Sequence, residues 1–280
     1  MASGTKGLTA LAVASLIDEG LLDFDAKART FLRTDLPLID EDVTIRQLLA
    51  HRSGIGDYFA EASNHPITDY VLPIAVNRLL NTEDFLLVLG GFPQSHRPGE
   101  KFEYCNSWFV VLALIAERIA GAPFSDLVSE RVCKPAGMSA TEFLRSDALP
   151  GDAAIGYFSS NANDLQSNVF NLPLRGTGDG GIYSTAADFA AFWPALFAGQ
   201  IAPEPLAEDL VRPQSSLASP PLEYGLGFWR RPADGVVMLE GYDAGVSFRS
   251  WHQRETAPDR HGTFEYFGGS IAGSEGHRRT

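Results

Sequence analysis

Hydrophobic positions in this chain follow a helical rhythm for about three quarters of its length and then turn strand-like. From Leu8 to Ile17 (LTALAVASLI) nearly every position is apolar, which marks a helix buried on all sides rather than laid on a surface. Asp18-Glu19-Gly20 ends it, with Gly20 suited to a left-handed cap. A short helix is predicted at Ile45 to Ala50, before the turn signal His51-Arg52-Ser53-Gly54. Phe59 to Gly99 reads as irregular, with a helix at Thr82 to Leu89 that Thr82 caps and Glu83 and Asp84 support in its first turn. Asn106 then opens a strongly apolar helix, Ser107 to Ala120, closed by Gly121. Thr185 and Asp188 make a capping-box-like start for a helix through Ala198, closed by Gly199.

Beyond these helices, Tyr224 to Arg230, Gly235 to Leu239, Val246 to His252 and Thr263 to Phe267 read as strands separated by Gly, Pro and Asp turns. A helical middle followed by antiparallel strands gives an α+β expectation: helices packed on a sheet. We read one unit over 1–280, with a helical insert over roughly 25–175 and the sheet over roughly 222–270.

The formal net charge of -13 and the lack of any Lys/Arg block argue against a nucleic-acid partner. The longest apolar run, Trp108 to Ala116, falls short of the roughly 20 residues that span a bilayer. No charged segment precedes an apolar core at the start, so a cytoplasmic location is expected of the sequence as it stands. Cys105 and Cys133 have neither zinc-type nor redox-type spacing and are read as free thiols, Cys105 as buried packing. The six histidines show no ligand spacing, so neither metal nor cofactor is expected, and His51 is read as a structural loop residue. Gly176-x-Gly178-x-x-Gly181 matches a dinucleotide fingerprint only as a string. No strand precedes it and the next helix starts near Ala186, so it is read as a glycine-rich turn.

The candidate chemistry lies at the start of the chain. Ser3 and Lys6 are three residues apart, so on a helix they share a face and bring a hydroxyl and an amine together. A lysine can take a serine's proton only if burial or nearby charge lowers its pKa, and the apolar helix after Lys6 supports burial. The plainer alternative is a capping serine and a solvated lysine. Tyr104 and Asn106 alternate in an extended stretch and so project together, a phenol able to relay protons beside an amide able to donate and accept. Helix capping by Asn106 and core packing by Tyr104 are the plainer alternatives.

Ser-x-x-Lys, then Tyr-x-Asn about a hundred residues on, then a glycine-bearing strand near the C-terminus is the motif order of the penicillin-recognising serine hydrolases. The chain resembles their class C β-lactamase-like group, which includes D-peptidases and β-lactamase-fold esterases. The resemblance rests on SGTKGLTALAVASLIDEGLLDFD, IRQLLAHRSGIGDYF, RPGEKFEYCNSWFVVLALIAERIAG, GDGGIYSTAADFAAFWPALFAG, YGLGFW and EGYDAGVSFRS, in the family's order. It implies a β-lactamase/transpeptidase-like fold. It also implies Ser3 as acylated nucleophile, Lys6 as proton acceptor, Tyr104 as partner acid or base, and Asn106 as a residue holding both substrate and Lys6. The Ser3 N–H, with an N–H near Tyr242 to Ala244, would form the oxyanion hole.

The third motif departs from the family's cationic form. Its register is Leu239-Glu240-Gly241 or Gly241-Tyr242-Asp243, and neither supplies a cation. Gly241 is the firm element, since close backbone approach on a strand favours glycine, and Tyr242 joins it as a substrate-binding residue. The family usually carries a helix and two strands before Ser-x-x-Lys and a helix after the last strand, so truncation at both ends, and self-association through an open sheet edge, are expectations. The implied substrates are small esters, D-peptides or β-lactams, with neutral short-chain esters favoured. A non-catalytic scaffold retaining the fold is the alternative.

Overall fold

The computed structural model describes residues 1–59, 72–161 and 164–253. A single 3-10 turn, Ala2–Gly4, leads into helix α1 (Thr5–Asp18), buried over most of its length as its nearly continuous apolar run demands. Short helices α2 (Ala28–Leu32) and α3 (Ile45–Leu49) follow, α3 opened by a capping box between Thr44 and Gln47. A 3-10 turn, Thr82–Phe85, runs into α4 (Leu86–Leu89). Its cap is Asn81, boxed with Asp84, and not Thr82, which is buried. Helix α5 (Ser107–Ala120) ends on Gly121 at φ +65°, and α6 (Phe124–Val128) follows it.

The middle of the chain is not all helical. Strands β1 (Tyr157–Asn161) and β2 (Asp164–Ser167) pair as a separate antiparallel hairpin inside the expected helical insert. Helix α7 (Ala186–Phe197) starts on Thr185, whose hydroxyl accepts from the Asp188 N–H, while the Asp188 carboxylate turns away to the Ala140 N–H and the Thr141 hydroxyl. Helix α8 (Glu204–Val211) precedes the main sheet.

That sheet is an antiparallel meander of β3 (Ser215–Leu217), β4 (Leu222–Tyr224), β5 (Trp229–Arg231), β6 (Val236–Asp243) and β7 (Val246–His252), paired in sequence order. The strand expected over Tyr224 to Arg230 is therefore two strands. Gly227 turns the chain between them at φ +91°, a conformation that L side chains resist. Strand β6 runs four residues beyond the expected Leu239. The strand read at Thr263 to Phe267 lies outside the described residues.

Helices α1, α5 and α7 share one core with one face of β6 and β7. Alternation along β6 sets this up: Val237 and Leu239 face that core, while Val236 and Met238 face a second cluster with Tyr224 and Trp229. The start of α1 sits hard against the sheet. A Cβ on Gly4 would overlap the Phe248 ring, and one on Gly7 would overlap the Leu239 side chain. The first turn of the most buried helix is thereby pinned to β6 and β7. Among the described residues no single helix is long and apolar enough to cross a membrane.

Candidate active site

Ser3 lies in the 3-10 turn before α1, and its side chain makes no capping bond to that helix, whose cap is Gly4. Lys6, one turn on, is only 2% exposed. Its Nζ stands 2.9 Å from Ser3 Oγ, 2.8 Å from Asn106 Oδ1 and 2.8 Å from the Asp179 carbonyl oxygen. Both plainer alternatives for this pair, a capping serine and a solvated lysine, are thus excluded. A buried amine needs polar partners to offset its lost hydration, and three oxygens supply them here.

Tyr104 comes to the same amine, with the Lys6 Nζ 5.0 Å from its ring centroid. The ring stacks on Trp229 at 6.2 Å and lies 4.3 Å from the His51 ring. Asn106 is 5% exposed and precedes α5, but its side chain does not cap that helix. Its Oδ1 accepts from Lys6 and its Nδ2 donates to Asp57 Oδ2 at 3.3 Å. The structure therefore brings Ser3, Lys6, Tyr104 and Asn106 together across about a hundred residues of sequence.

Gly241 completes the group from the sheet. A Cβ there would overlap the Met1 carbonyl oxygen and stand 2.8 Å from the backbone nitrogens of Ser3 and Gly4, so only a glycine lets β6 lie this close to the serine. Tyr242 and Asp243 line the cleft, whereas Leu239 is in the core against Gly7. Glu240 pairs with Arg249 on the neighbouring strand at 2.6 Å, and neither lines the cleft.

The cleft has a volume of about 440 Å³ and opens over Ser3 and Asn106. Glu142, Asp152, Asp179 and Asp243 line it, with no lysine, arginine or histidine among its described lining residues. Burial pushes the Asp179 carboxyl above its ordinary range, opposed by the Lys6 charge and by a 2.7 Å hydrogen bond from the Tyr58 hydroxyl. His51 is fully buried, and burial first, then the Lys6 charge, hold its pKa well below the ordinary value. Its Nδ1 accepts from the Cys105 N–H at 3.2 Å, so the ring is neutral and supports the Tyr104 wall. Cys105 is 2% exposed with its thiol pKa pushed well up by burial, which suits packing and not nucleophilic chemistry. Among the described residues no three His, Cys, Asp or Glu side chains stand close enough to hold a metal.

Sequence reasoning missed three participants. Asp57 and Tyr58 follow the LLAHRSGIG turn and reach Asn106 and Asp179. Asp179 itself sits in the glycine-rich turn, where Gly178 and Asp179 offer carbonyls to Thr9 and Lys6. That turn edges the cleft and braces α1.

Residues 1–276 match the family model described as Beta-lactamase. The chain belongs to the β-lactamase family. Within that family, a solved penicillin-binding protein from Bacillus halodurans is 32% identical and superposes with a TM-score of 0.86, covering 95% of this chain and 80% of that one. A penicillin-binding protein of Bacillus subtilis (strain 168) is 28% identical over 244 residues, 81% of this chain and 51% of its own length. A D-aminopeptidase of Cereibacter sphaeroides is 27% identical over 241 residues, 84% of this chain and 43% of its own. The chain thus spans about half the length of the curated relatives it matches. The β-lactamase fold is shared more widely still, for example with a D-stereospecific amidohydrolase from Streptomyces at a TM-score of 0.75 and 24% identity.

Proposed function

We propose that this protein is a serine acyl hydrolase. The observation that carries the reading is the buried Lys6 amine held 2.9 Å from the Ser3 hydroxyl. In its uncharged form that amine takes the proton as Ser3 Oγ attacks an ester or amide carbonyl, which converts a weak nucleophile into an effective one. The oxyanion that forms is held by the Ser3 N–H and by an N–H of the β6–β7 turn near Tyr242 to Ala244. Tyr104 and Lys6 pass the proton to the leaving group. Asn106 fixes Lys6 on one side and offers its amide to the substrate on the other. Water then releases the acyl group from Ser3 by the reverse proton path.

The cleft wall bears on the substrate. Four carboxylates line it without a lysine or arginine, so a carboxylate-bearing acyl donor enters against like charge while neutral or amine-bearing esters and amides do not. The D-aminopeptidase relative fits that direction, and short-chain esters and D-amino-acid amides are the substrates to try first.

Intact-mass measurement after treatment with a fluorophosphonate tests the reading, on the unaltered protein and on Ser3→Ala. One adduct on the former and none on the latter is expected. An adduct that persists in Ser3→Ala rules out Ser3 as nucleophile, and no adduct or turnover on either protein favours the scaffold alternative.

A further inference from the structure

The Lys6 amine sits among Ser3 Oγ, Asn106 Oδ1 and the Asp179 carbonyl oxygen, all within 2.9 Å. An uncharged amine has two N–H bonds and one lone pair. With acceptors fixed at Asn106 and Asp179, the amine in that uncharged form would place both N–H bonds there and turn the lone pair on the Ser3 hydroxyl. This requires that the oxygen end of the Asn106 amide face the amine. The two ends of an amide are nearly the same shape, so packing does not choose between them; only hydrogen-bond partners do. Were the NH2 end to face Lys6, its protons would compete with the serine proton for the same lone pair.

Asp57 makes the choice. Its Oδ2 accepts from the Asn106 backbone N–H at 3.1 Å and from Asn106 Nδ2 at 3.3 Å. Its Oδ1 accepts from the Ser107 N–H at 3.2 Å, the Ser107 hydroxyl at 3.4 Å and the Phe59 N–H at 3.1 Å. A carboxylate offers acceptors only, so the NH2 end of Asn106 must point to it and the oxygen is left for Lys6. The next residue, Tyr58, holds the second acceptor in place by donating its hydroxyl to Asp179 Oδ2 at 2.7 Å.

We infer that Asp57 is a positioning residue, which sets the amide orientation of Asn106 and through it aims the Lys6 lone pair at Ser3. The inference rests on the acyl-hydrolase reading above and adds a residue to it.

Asp57→Asn and Asp57→Ala separate this role from mere support of α5. Asparagine keeps the size of aspartate and caps helices as well, so a structural role makes Asn the milder change. The positioning role predicts the opposite order for turnover. An amide at position 57 must put its own NH2 against donors, and the relief open to it is to flip Asn106 and turn a donor on Lys6. Alanine leaves Asn106 free to keep its oxygen on Lys6. With nitrophenyl butyrate as substrate, Asp57→Asn should lower kcat by about a hundredfold and Asp57→Ala by about tenfold. KM should stay within threefold in both, and the melting temperature of Asp57→Asn should be the higher of the two. Ser3→Ala, measured alongside, keeps the two readings apart. Unaltered turnover in Ser3→Ala sinks the hydrolase reading itself. An inactive Ser3→Ala with kcat of Asp57→Asn within threefold of the unaltered protein overturns the role of Asp57 alone. So do activities that follow the melting temperatures, with Ala the poorer in both, and so does failure of both Asp57 variants to fold.

Discussion

Adding one methyl group at Gly241 should cost this protein far more activity than stability. The Cβ that Gly241→Ala introduces would overlap the Met1 carbonyl oxygen and lie 2.8 Å from the backbone nitrogens of Ser3 and Gly4, about 0.6 Å short of ordinary contact. All three atoms are backbone, so no side chain can swing aside, and the 3-10 turn carrying Ser3 must part from β6. Overpacking of this kind costs about 1–3 kcal/mol, which for a chain of this size lowers Tm by about 2–10 °C. The displaced turn carries Ser3, the proposed nucleophile, and a misplacement approaching 1 Å costs about a hundredfold in rate. Gly241→Ala should therefore fold, melt a few degrees early and lose about a hundredfold in kcat/KM toward nitrophenyl butyrate and in its rate of fluorophosphonate labelling. Gly180→Ala is the matched control. It lines the same cleft, but its Cβ meets nothing nearer than Ala2 backbone atoms at 3.6 Å, so its melting temperature and labelling rate should hold. A Gly241→Ala protein that turns over within threefold of the unaltered one would show that β6 does not locate Ser3.

Lys6→Ala and Tyr104→Phe should each lower kcat/KM by about a hundredfold or more, the scale of positioned acid–base catalysis; in steady-state assays the double variant should be little worse than either, because the two act on one proton. Tyr242→Lys places a cation on the cleft wall and should raise kcat/KM for nitrocefin relative to nitrophenyl butyrate by about tenfold. Glu240→Lys, on a residue tied to Arg249 away from the cleft, should leave that ratio unchanged, and equal effects from the two would contradict the register of β6. His51 gives a stability prediction: its folded-state pKa lies well below the unfolded value. As pH falls through about 6.5 the unfolded chain takes up a proton that the folded state refuses, so stability is lost by up to about 1.4 kcal/mol per pH unit. Denaturant titrations between pH 7 and 5 should show a shallower loss in His51→Gln, and an identical slope would remove His51 as the cause.

How much of this was legible in the sequence depends on whether the controlling interaction is local. Helices α1 and α5 were readable almost to the residue, because Gly20 and Gly121 stop them and their apolar runs are nearly continuous. Ser3, Lys6, Tyr104 and Asn106 were readable as candidates through motif order. The β1–β2 hairpin was not, since Tyr157 and Leu165 are exposed at 45% and 61% and a hairpin with wet apolar positions shows no inside–outside alternation. Tyr224 to Arg230 looked like one strand because its apolar residues continue through the Gly225 to Phe228 turn, and only the register of β4 on β5 reveals the break. Asp57, Tyr58 and Asp179 lie in segments that carry the resemblance, but neither residue type nor spacing singles them out there. Tyr58 and Asp179 meet across 121 residues, a closure set by how α5 and the glycine-rich turn pack around Lys6. The two registers of the third motif share Gly241 and are offset by two residues, so strand alternation does not separate them; what differs is that Tyr242 and Asp243 line the cleft while Leu239 and Glu240 do not.

The burial of α1 on every side has a consequence for how such a protein can diverge. A serine carried at the head of a helix with no free face cannot be re-aimed by small substitutions in that helix, because any enlargement between Leu8 and Ala14 would press on the core before its effect reached the cleft. The opposite wall is built differently. Glu142, Asp152, Asn171 and Tyr242 are loop or strand-end residues at least partly open to solvent, where substitutions are cheap in stability. On the proposed reading, new substrate preferences would arise at these four positions, while the Ser3–Lys6 pair stays fixed. The proposed chemistry is then inherited with the core, and only the choice of substrate is left to drift.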